Sequence, residues 1–171
     1  MNTGMKMENG LFSETGVEAV SEYVFDSPVG PLTLECTAHA VTALRFGKFT
    51  RVKASPMPIS QRAERELAEY FGGRRHVFDL PLAPSGTPFQ LAVWRALCDI
   101  PYGQTRSYKE IAQAVGNPKA CRAVGMANNR NPIPILIPCH RVVGADGTLV
   151  GYGGGLWIKR RLLSLENVPV K

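Results

Sequence analysis

Apolar and polar positions first alternate in the manner of strands. Three short runs rich in β-branched and aromatic residues, 17–25 (VEAVSEYVF), 31–37 (PLTLECT) and 40–46 (AVTALRF), are parted by turn chemistry at Asp26 to Gly30 and at Ala38-His39. Together they predict an antiparallel meander. The period then lengthens: Ala63, Leu67 and Phe71 recur every four residues, which predicts a helix from a Ser60 cap to about Phe71, stopped by Gly72-Gly73. A strand-like Val77-Phe78 follows, and then a linker, residues 81–87, rich in Pro, Ser and Gly.

Beyond the linker the pattern is that of short helices. Thr87-Pro88-Phe89-Gln90 is a capping box with proline at the first helical position, and it opens a helix to about Cys98 whose apolar face carries Leu91, Trp94 and Leu97 or Cys98. Ser107-Tyr108-Lys109-Glu110 is a second capping box, for a helix ending at Gly116. Asn117-Pro118 is read as the start of the next helix, running to about Asn128, and a last helix spans residues 156–165. Two short helices joined by a tight turn containing glycine have the outline of a helix-turn-helix. Ala120, Ala123 and Ala127 fall on one face of the second helix beside Arg122 and Arg130. That strip suits close approach to a nucleic-acid groove and equally suits packing on the preceding helix. The expected fold is α+β: a small α/β domain, residues 1–85, with an antiparallel sheet plus a helix, then a mostly helical domain, residues 86–171. Residues 1–16 are polar and aperiodic and are expected to fray.

Length and charge narrow the function. A chain of 171 residues with 44% hydrophobic and 20% charged positions builds one core or two small ones, not a large modular machine. The net charge of +6 is unevenly placed. Residues 1–85 carry nine Lys+Arg against ten Asp+Glu, whereas residues 86–171 carry eleven against four. The positive surplus lies with the helix pair, which points to a polyanionic partner. No apolar run approaches the roughly 20 residues needed to span a bilayer, and the first residues lack the apolar region of a secretory signal, so a cytoplasmic location is expected. Four cysteines without a short-range framework suit reduced thiols.

One of those thiols is set apart. In residues 131–142 (NPIPILIPCHRV) three prolines forbid a regular helix and stiffen an apolar, extended approach that ends at Cys139. His140 and Arg141 offer polar and positive neighbours expected to lower its pKa. Adjacent side chains rarely bond directly, so His140 needs a turn or a bridging water and a third group to orient it. Glu166, one of only four acids after residue 85, is the candidate. Cys36, Cys98 and Cys121 read as inert thiols.

The segments 116–119 (GNPK), 122–125 (RAVG), 137–142 (IPCHRV) and 151–156 (GYGGGL) resemble the O6-alkylguanine-DNA alkyltransferases, also called methylated-DNA-protein-cysteine methyltransferases. The resemblance covers most of residues 86–167. The first half matches loosely, at 27–32 (SPVGPL) and the acidic helix. It implies an RNase H-like first domain and a winged-helix-like second one. It also implies repair of duplex DNA: the alkyl group of O6-alkylguanine, with O4-alkylthymine as a further lesion, passes irreversibly to Cys139, once per molecule and after base flipping. His140 and Glu166 match the family's relay through a water, Asn131 the residue bracing the active-site turn, and Tyr108 the donor to the departing purine.

Arg122 matches the arginine that fills the space of the extruded base, and the resemblance places it with Ala123, Ala127, Asn117 and Ser107 against the minor groove. Val142, Tyr152, Gly153, Gly154 and Pro134 match positions around the flipped base, although Gly153 stands where some relatives carry serine. The chemistry calls for no cofactor. Cys36 and His39 form half a ligand set at positions that do not match the relatives that bind zinc, so no metal is expected. The partner implied is lesion-containing double-stranded DNA, met by a monomer. Two other readings use the same residues: a helix-turn-helix regulator or alkyl-lesion binder without chemistry, and a thiol hydrolase built on Cys139, His140 and Glu166.

Overall fold

The computed structural model describes residues 19–49 and 55–169. The expectation for residues 1–16 lies outside the described residues. Strands β1 (Ser21–Phe25), β2 (Leu32–Cys36) and β3 (Val41–Phe46) form an antiparallel sheet in that order, with Tyr23 opposite Leu34 and Leu34 opposite Leu44. Ser27 and Gly30 exchange backbone hydrogen bonds of 3.2 and 3.0 Å to close the first hairpin. Leu32, Leu34, Cys36, Val41 and Leu44 are buried under helix α1 (Pro58–Phe71), which turns Ala63, Leu67 and Tyr70 inward.

Helix α1 starts earlier than the Ser60 cap predicted. Pro58 takes the first position, and Ser60 Oγ accepts the Met57 N–H at 3.0 Å from the third, so serine acts from inside the helix. Its inward edge is Tyr70 rather than Phe71. The stop holds: Gly73 takes φ 69°, and the Arg74 N–H reaches Glu69 O at 2.9 Å. Val77-Phe78 forms no strand. Two apolar residues carry too little pairing, and the segment is held instead by polar contacts such as Asp79 N–H to Glu66 Oε2 at 2.9 Å. The pairing falls on the expected linker, where Val41 exchanges hydrogen bonds with Pro81 O and the Ala83 N–H at 2.9 and 2.8 Å.

Helix α2 (Pro88–Cys98) and, after the two-residue strand β4 (Arg106–Ser107), helix α3 (Tyr108–Ala114) begin at the caps predicted, each with a complete capping box. Helix α4 (Cys121–Asn129) does not begin at Asn117-Pro118. Gly116 is left-handed at φ 75° and the Asn117 N–H still closes α3 on Ala112 O, so Asn117 ends one helix and cannot cap the next. A turn, Ala120 N–H to Asn117 O at 2.9 Å, intervenes. Trp94, central in the core, donates its indole N–H to Ala127 O at 2.9 Å and ties α2 to α4. Strand β5 (Val142–Val143) pairs parallel with β4, and α5 (Leu156–Leu165) closes the described chain. Among the described residues the architecture is α+β, a small antiparallel sheet with five helices, and one cluster of buried side chains runs through both halves. Among the described residues no helix is long and apolar enough to cross a membrane.

Candidate active site

The chain between α4 and β5 is folded tightly rather than extended. Asn131 fastens it at two points, accepting the Ile133 N–H at 3.0 Å and donating Nδ2 to Ile137 O at 2.8 Å. Between those points Ile137 N–H returns to Ile133 O at 2.9 Å, and Ile135 is driven to φ 74°. A β-branched residue in that conformation is strained and persists only where its surroundings over-determine it. Ile133, Ile135 and Ile137, all buried, supply that grip. From the sheet, the Leu44 N–H holds Pro132 O at 2.9 Å. Pro138, at φ −79° and ψ 61°, then makes an inverse γ-turn in which the Cys139 N–H reaches Ile137 O at 2.7 Å. Cys139 opens a single helical turn, Cys139–Arg141.

This turn sets the Cys139 side chain, 3% exposed, in the wall of a cavity of about 450 Å³. Asn131, Pro134, Tyr152, Gly153 and Gly154 share the wall. So do Ala43, Phe46 and Phe49 from the first half, which sequence reasoning did not anticipate. At Gly154 a Cβ would stand 2.7 Å from Phe46 Cδ2 and Cε2, so only glycine lets that ring lie against the loop. At Gly153 a Cβ would meet the Asn129 carbonyl at an ordinary 3.5 Å, so the missing side chain leaves room. Asn128, also in the wall, donates weakly to Cys139 O at 3.4 Å, while its Oδ1 has no protein partner among the described residues.

Electrostatics at the thiol depart from the sequence expectation. Burial pushes Cys139 up to about 11; the Asn131 amide, the Lys159 charge and the Tyr152 hydroxyl only partly offset it. At neutral pH the resting side chain is a thiol. His140 and Arg141 do not lower it because both are spent on Glu166. The His140 Nε2 lies 2.7 Å from Glu166 Oε1, and Arg141 grips the same carboxylate through Nε (2.9 Å) and Nη2 (3.0 Å) while Nη1 donates to Ile100 O at 2.6 Å. The Gly103 N–H adds a bond to Oε2 at 3.1 Å and the Tyr70 hydroxyl one to Oε1 at 2.7 Å.

Burial opposes charge on Glu166, but the hydrogen bonds from His140 and Arg141 and the charge of Arg141 outweigh it and hold the carboxyl well below the usual carboxylate range. An ionised Glu166 takes the Nε2 hydrogen, leaving Nδ1 as the basic nitrogen of a neutral imidazole. Burial lowers the His140 pKa, which keeps it neutral, and Nδ1 has no protein partner among the described residues. Cys139 and His140 make no direct side-chain bond among the described residues, as adjacency implied.

Lys159 is the charged group the sequence did not reveal. Fully buried on α5, it donates Nζ to Val150 O at 2.7 Å, and burial brings its pKa down to about 8. It remains cationic at pH 7 and favours charge on Cys139. Tyr108, at the start of α3, donates its hydroxyl to Val150 O at 3.3 Å, and burial first, then the nearby Cys139, raises its pKa.

The remaining sequence-predicted residues divide by position. Arg122 and Ala123 are exposed on α4, as is Asn117 in the preceding turn. Ser107 is half-buried, its hydroxyl engaged with Glu110. Ala127 does not share the exposed face: it is 2% exposed under Trp94, because α4 buries Val124, Ala127 and Asn128. The outward strip is Arg122, Ala123, Met126 and Arg130. Val142 is fully buried in β5 and lies outside the cavity wall.

The arrangement can present a shielded thiol to a flat ligand in a cavity and remove its proton. Among the described residues no group of three or more His, Cys, Asp or Glu side chains is placed to hold a metal ion. Residues 88–168 match the family described as 6-O-methylguanine DNA methyltransferase, DNA binding domain. A methylated-DNA–protein-cysteine methyltransferase from Methanosarcina barkeri is 51% identical over 149 residues, 84% of this chain and 94% of that protein. The crystal structure of the Mycobacterium tuberculosis O6-methylguanine methyltransferase superimposes with a TM-score of 0.79 at 46% identity, covering 90% of this chain and 97% of the other. The same organism's OGT in complex with DNA gives 0.78 at 49% identity, covering 85% and 92%.

Proposed function

The chain belongs to the methylated-DNA–protein-cysteine methyltransferase family, and from that premise we propose that it repairs DNA by moving the alkyl group of O6-alkylguanine onto Cys139. The observation that carries this is the buried Cys139 thiol in the cavity wall, backed by the His140–Glu166 pair at 2.7 Å. The Cys139 proton passes through one water to Nδ1 of His140, and the imidazolium is stabilised by Glu166. The sulfur attacks the alkyl carbon, an S–C bond forms, and the C–O6 bond breaks with its electron pair left on guanine. The purine takes up a proton, for which Tyr108 is the donor, and the developing charge on O6 is eased by neighbouring N–H groups of the 152–154 loop. The sulfide cannot be displaced in turn, so each chain acts once. Incubation with duplex DNA carrying O6-methylguanine, followed by mass spectrometry, is expected to show one added methyl per chain, on the Cys139 peptide alone. Unmodified Cys139 beside unrepaired lesion overturns the assignment.

The alkyl carbon is out of reach inside a duplex, so the base must be extruded, at a cost of a few kcal/mol. We assign that work to Arg122, exposed at the start of α4 next to the small Ala123. Their outward strip supports minor-groove approach, where a small-residue surface permits close contact. Arg122→Ala is expected to slow repair of duplex DNA by about 10- to 100-fold while leaving reaction with free O6-benzylguanine nearly unchanged. Equal losses on both substrates would remove Arg122 from the flipping step. Residues 86–171 then form a winged-helix-like DNA-binding and alkyl-acceptor unit, with residues 1–85 as an RNase H-like partner domain. A monomer working in the cytoplasm fits a one-to-one reaction and four free cysteines.

A further inference from the structure

Glu166 stands at the C-terminal end of α5, yet one of its five hydrogen bonds comes from the far half of the chain. Tyr70, in the last turn of α1, donates to the same Oε1 that accepts from His140 Nε2 and Arg141 Nη2. Its ring is fully buried and fixed by Phe71, Phe78 and Tyr102, with centroids 5.5, 5.3 and 6.2 Å away. A phenylalanine would fill the same socket, so packing explains the ring but not the hydroxyl. We propose that Tyr70 is a positioning residue for alkyl transfer, its O–H holding Glu166 Oε1 in place and setting how strongly the carboxylate pulls on His140. The inference rests on the Cys139–His140–Glu166 reading above.

The physical basis is competition for one oxygen. Oε1 offers two in-plane lone pairs, and three donors converge on it. Each donor drains charge that would otherwise act on the His140 N–H. A carboxylate left to pull harder would favour the imidazolium and raise the pH below which Nδ1 is already protonated, and a protonated histidine cannot take the Cys139 proton. Tyr70 therefore keeps His140 a neutral base without removing the anion that stabilises the imidazolium once formed.

The phenol stays a donor throughout, because burial first, and then the charge of Glu166, hold it far above the usual phenol range. The other polar groups around this carboxylate are Arg141 from the Cys139–Arg141 turn, and Tyr102 and the Gly103 N–H from the loop after α2. Lys159 of α5 acts on His140 and titrates at about 8. Of these groups His140 is the one that is neutral near pH 7 and gains a proton as the pH falls, its pKa lowered by burial.

The test is the rate of alkyl transfer from O6-methylguanine duplex DNA to the full chain, followed as a function of pH. Tyr70→Phe is expected to move the acid limb of the profile to higher pH by about half a unit or more. Replacement of Tyr70 by 3-fluorotyrosine, a stronger donor of nearly the same shape, is expected to move it to lower pH. A merely structural hydroxyl would lower the rate equally at every pH and leave both limbs in place; that result overturns the proposal. Glu166→Gln separates the two levels of the argument. If it shifts or abolishes the limb while the Tyr70 variants do not, the relay stands and Tyr70 has no part in it. If Glu166→Gln leaves rate and profile unchanged, the relay reading itself falls.

Discussion

Cys139→Ala accepts no alkyl group from O6-methylguanine DNA at any protein concentration, yet binds that DNA with an affinity close to the wild type's. No other thiol can substitute. Cys98 on α2, Cys36 in β2 and Cys121 on α4 all lie outside the Cys139 cavity. The fold should survive, because the contacts that shape the turn use the Cys139 backbone: its N–H to Ile137 O at 2.7 Å and its O from Asn128 Nδ2 at 3.4 Å. Loss of one buried sulfur should cost about 1 kcal/mol. Labelled lesion DNA measures transfer, and a gel shift with the same duplex measures binding. Label on the alanine variant would mean that the acceptor lies elsewhere. Loss of binding together with transfer would mean that the variant reports folding and not chemistry.

That the resting group is a thiol shapes how reactivity must arise. A side chain held near 11 is shielded from adventitious oxidants and electrophiles until a substrate fills the cavity. Its proton must then leave as the sulfur attacks, which gives His140, Glu166 and the buried Lys159 a shared purpose. In the proposed relay the histidine takes the proton and the carboxylate stabilises the resulting cation, while Lys159 favours the anionic sulfur.

How much of this the sequence shows depends on the range of the forces involved. The two capping boxes, Thr87 with Gln90 and Ser107 with Glu110, place their helices at the right residue because a cap is a local hydrogen bond between neighbours in sequence. Asn117-Pro118 misleads for an equally local reason: the residue that looks like a cap is already engaged in ending the helix before it. Ile135 is hidden from pattern reading, since a left-handed β-branched residue is imposed by its surroundings and contradicts its own preference. Ala127 falls on the wrong side of α4 because spacing fixes a face but not its orientation, which Trp94 decides from 33 residues away. In the site, Cys139, His140 and Glu166 are legible from motif and scarcity. Tyr70, Lys159 and the Phe46 wall are not, because each reaches the cavity or its carboxylate only through tertiary packing, and an aromatic or a lysine in an amphipathic segment carries no mark of its partner.

Glu166→Ala is expected to destabilise the protein by about 3–5 kcal/mol at pH 7 and to abolish alkyl transfer at temperatures where the variant remains folded. The first effect follows from what the carboxylate leaves behind. Arg141 is 6% exposed and His140 and Tyr70 are fully buried, so removing Glu166 strands a guanidinium, an imidazole N–H and a phenol without water to receive them. Against a total stability of about 5–15 kcal/mol for a domain this size, that loss is visible in any urea titration. The pH dependence separates charge from packing. The folded-state pKa of Glu166 lies below its unfolded value, so the contribution is complete above the ordinary carboxylate range and is lost as acid protonates the folded chain. The gap between wild type and Glu166→Ala should therefore be widest near pH 7 and narrow as the pH falls below about 4. A gap of the same size at pH 7 and pH 3.5 would mean that the alanine merely leaves a cavity, and that the five hydrogen bonds to Glu166 do not depend on its charge.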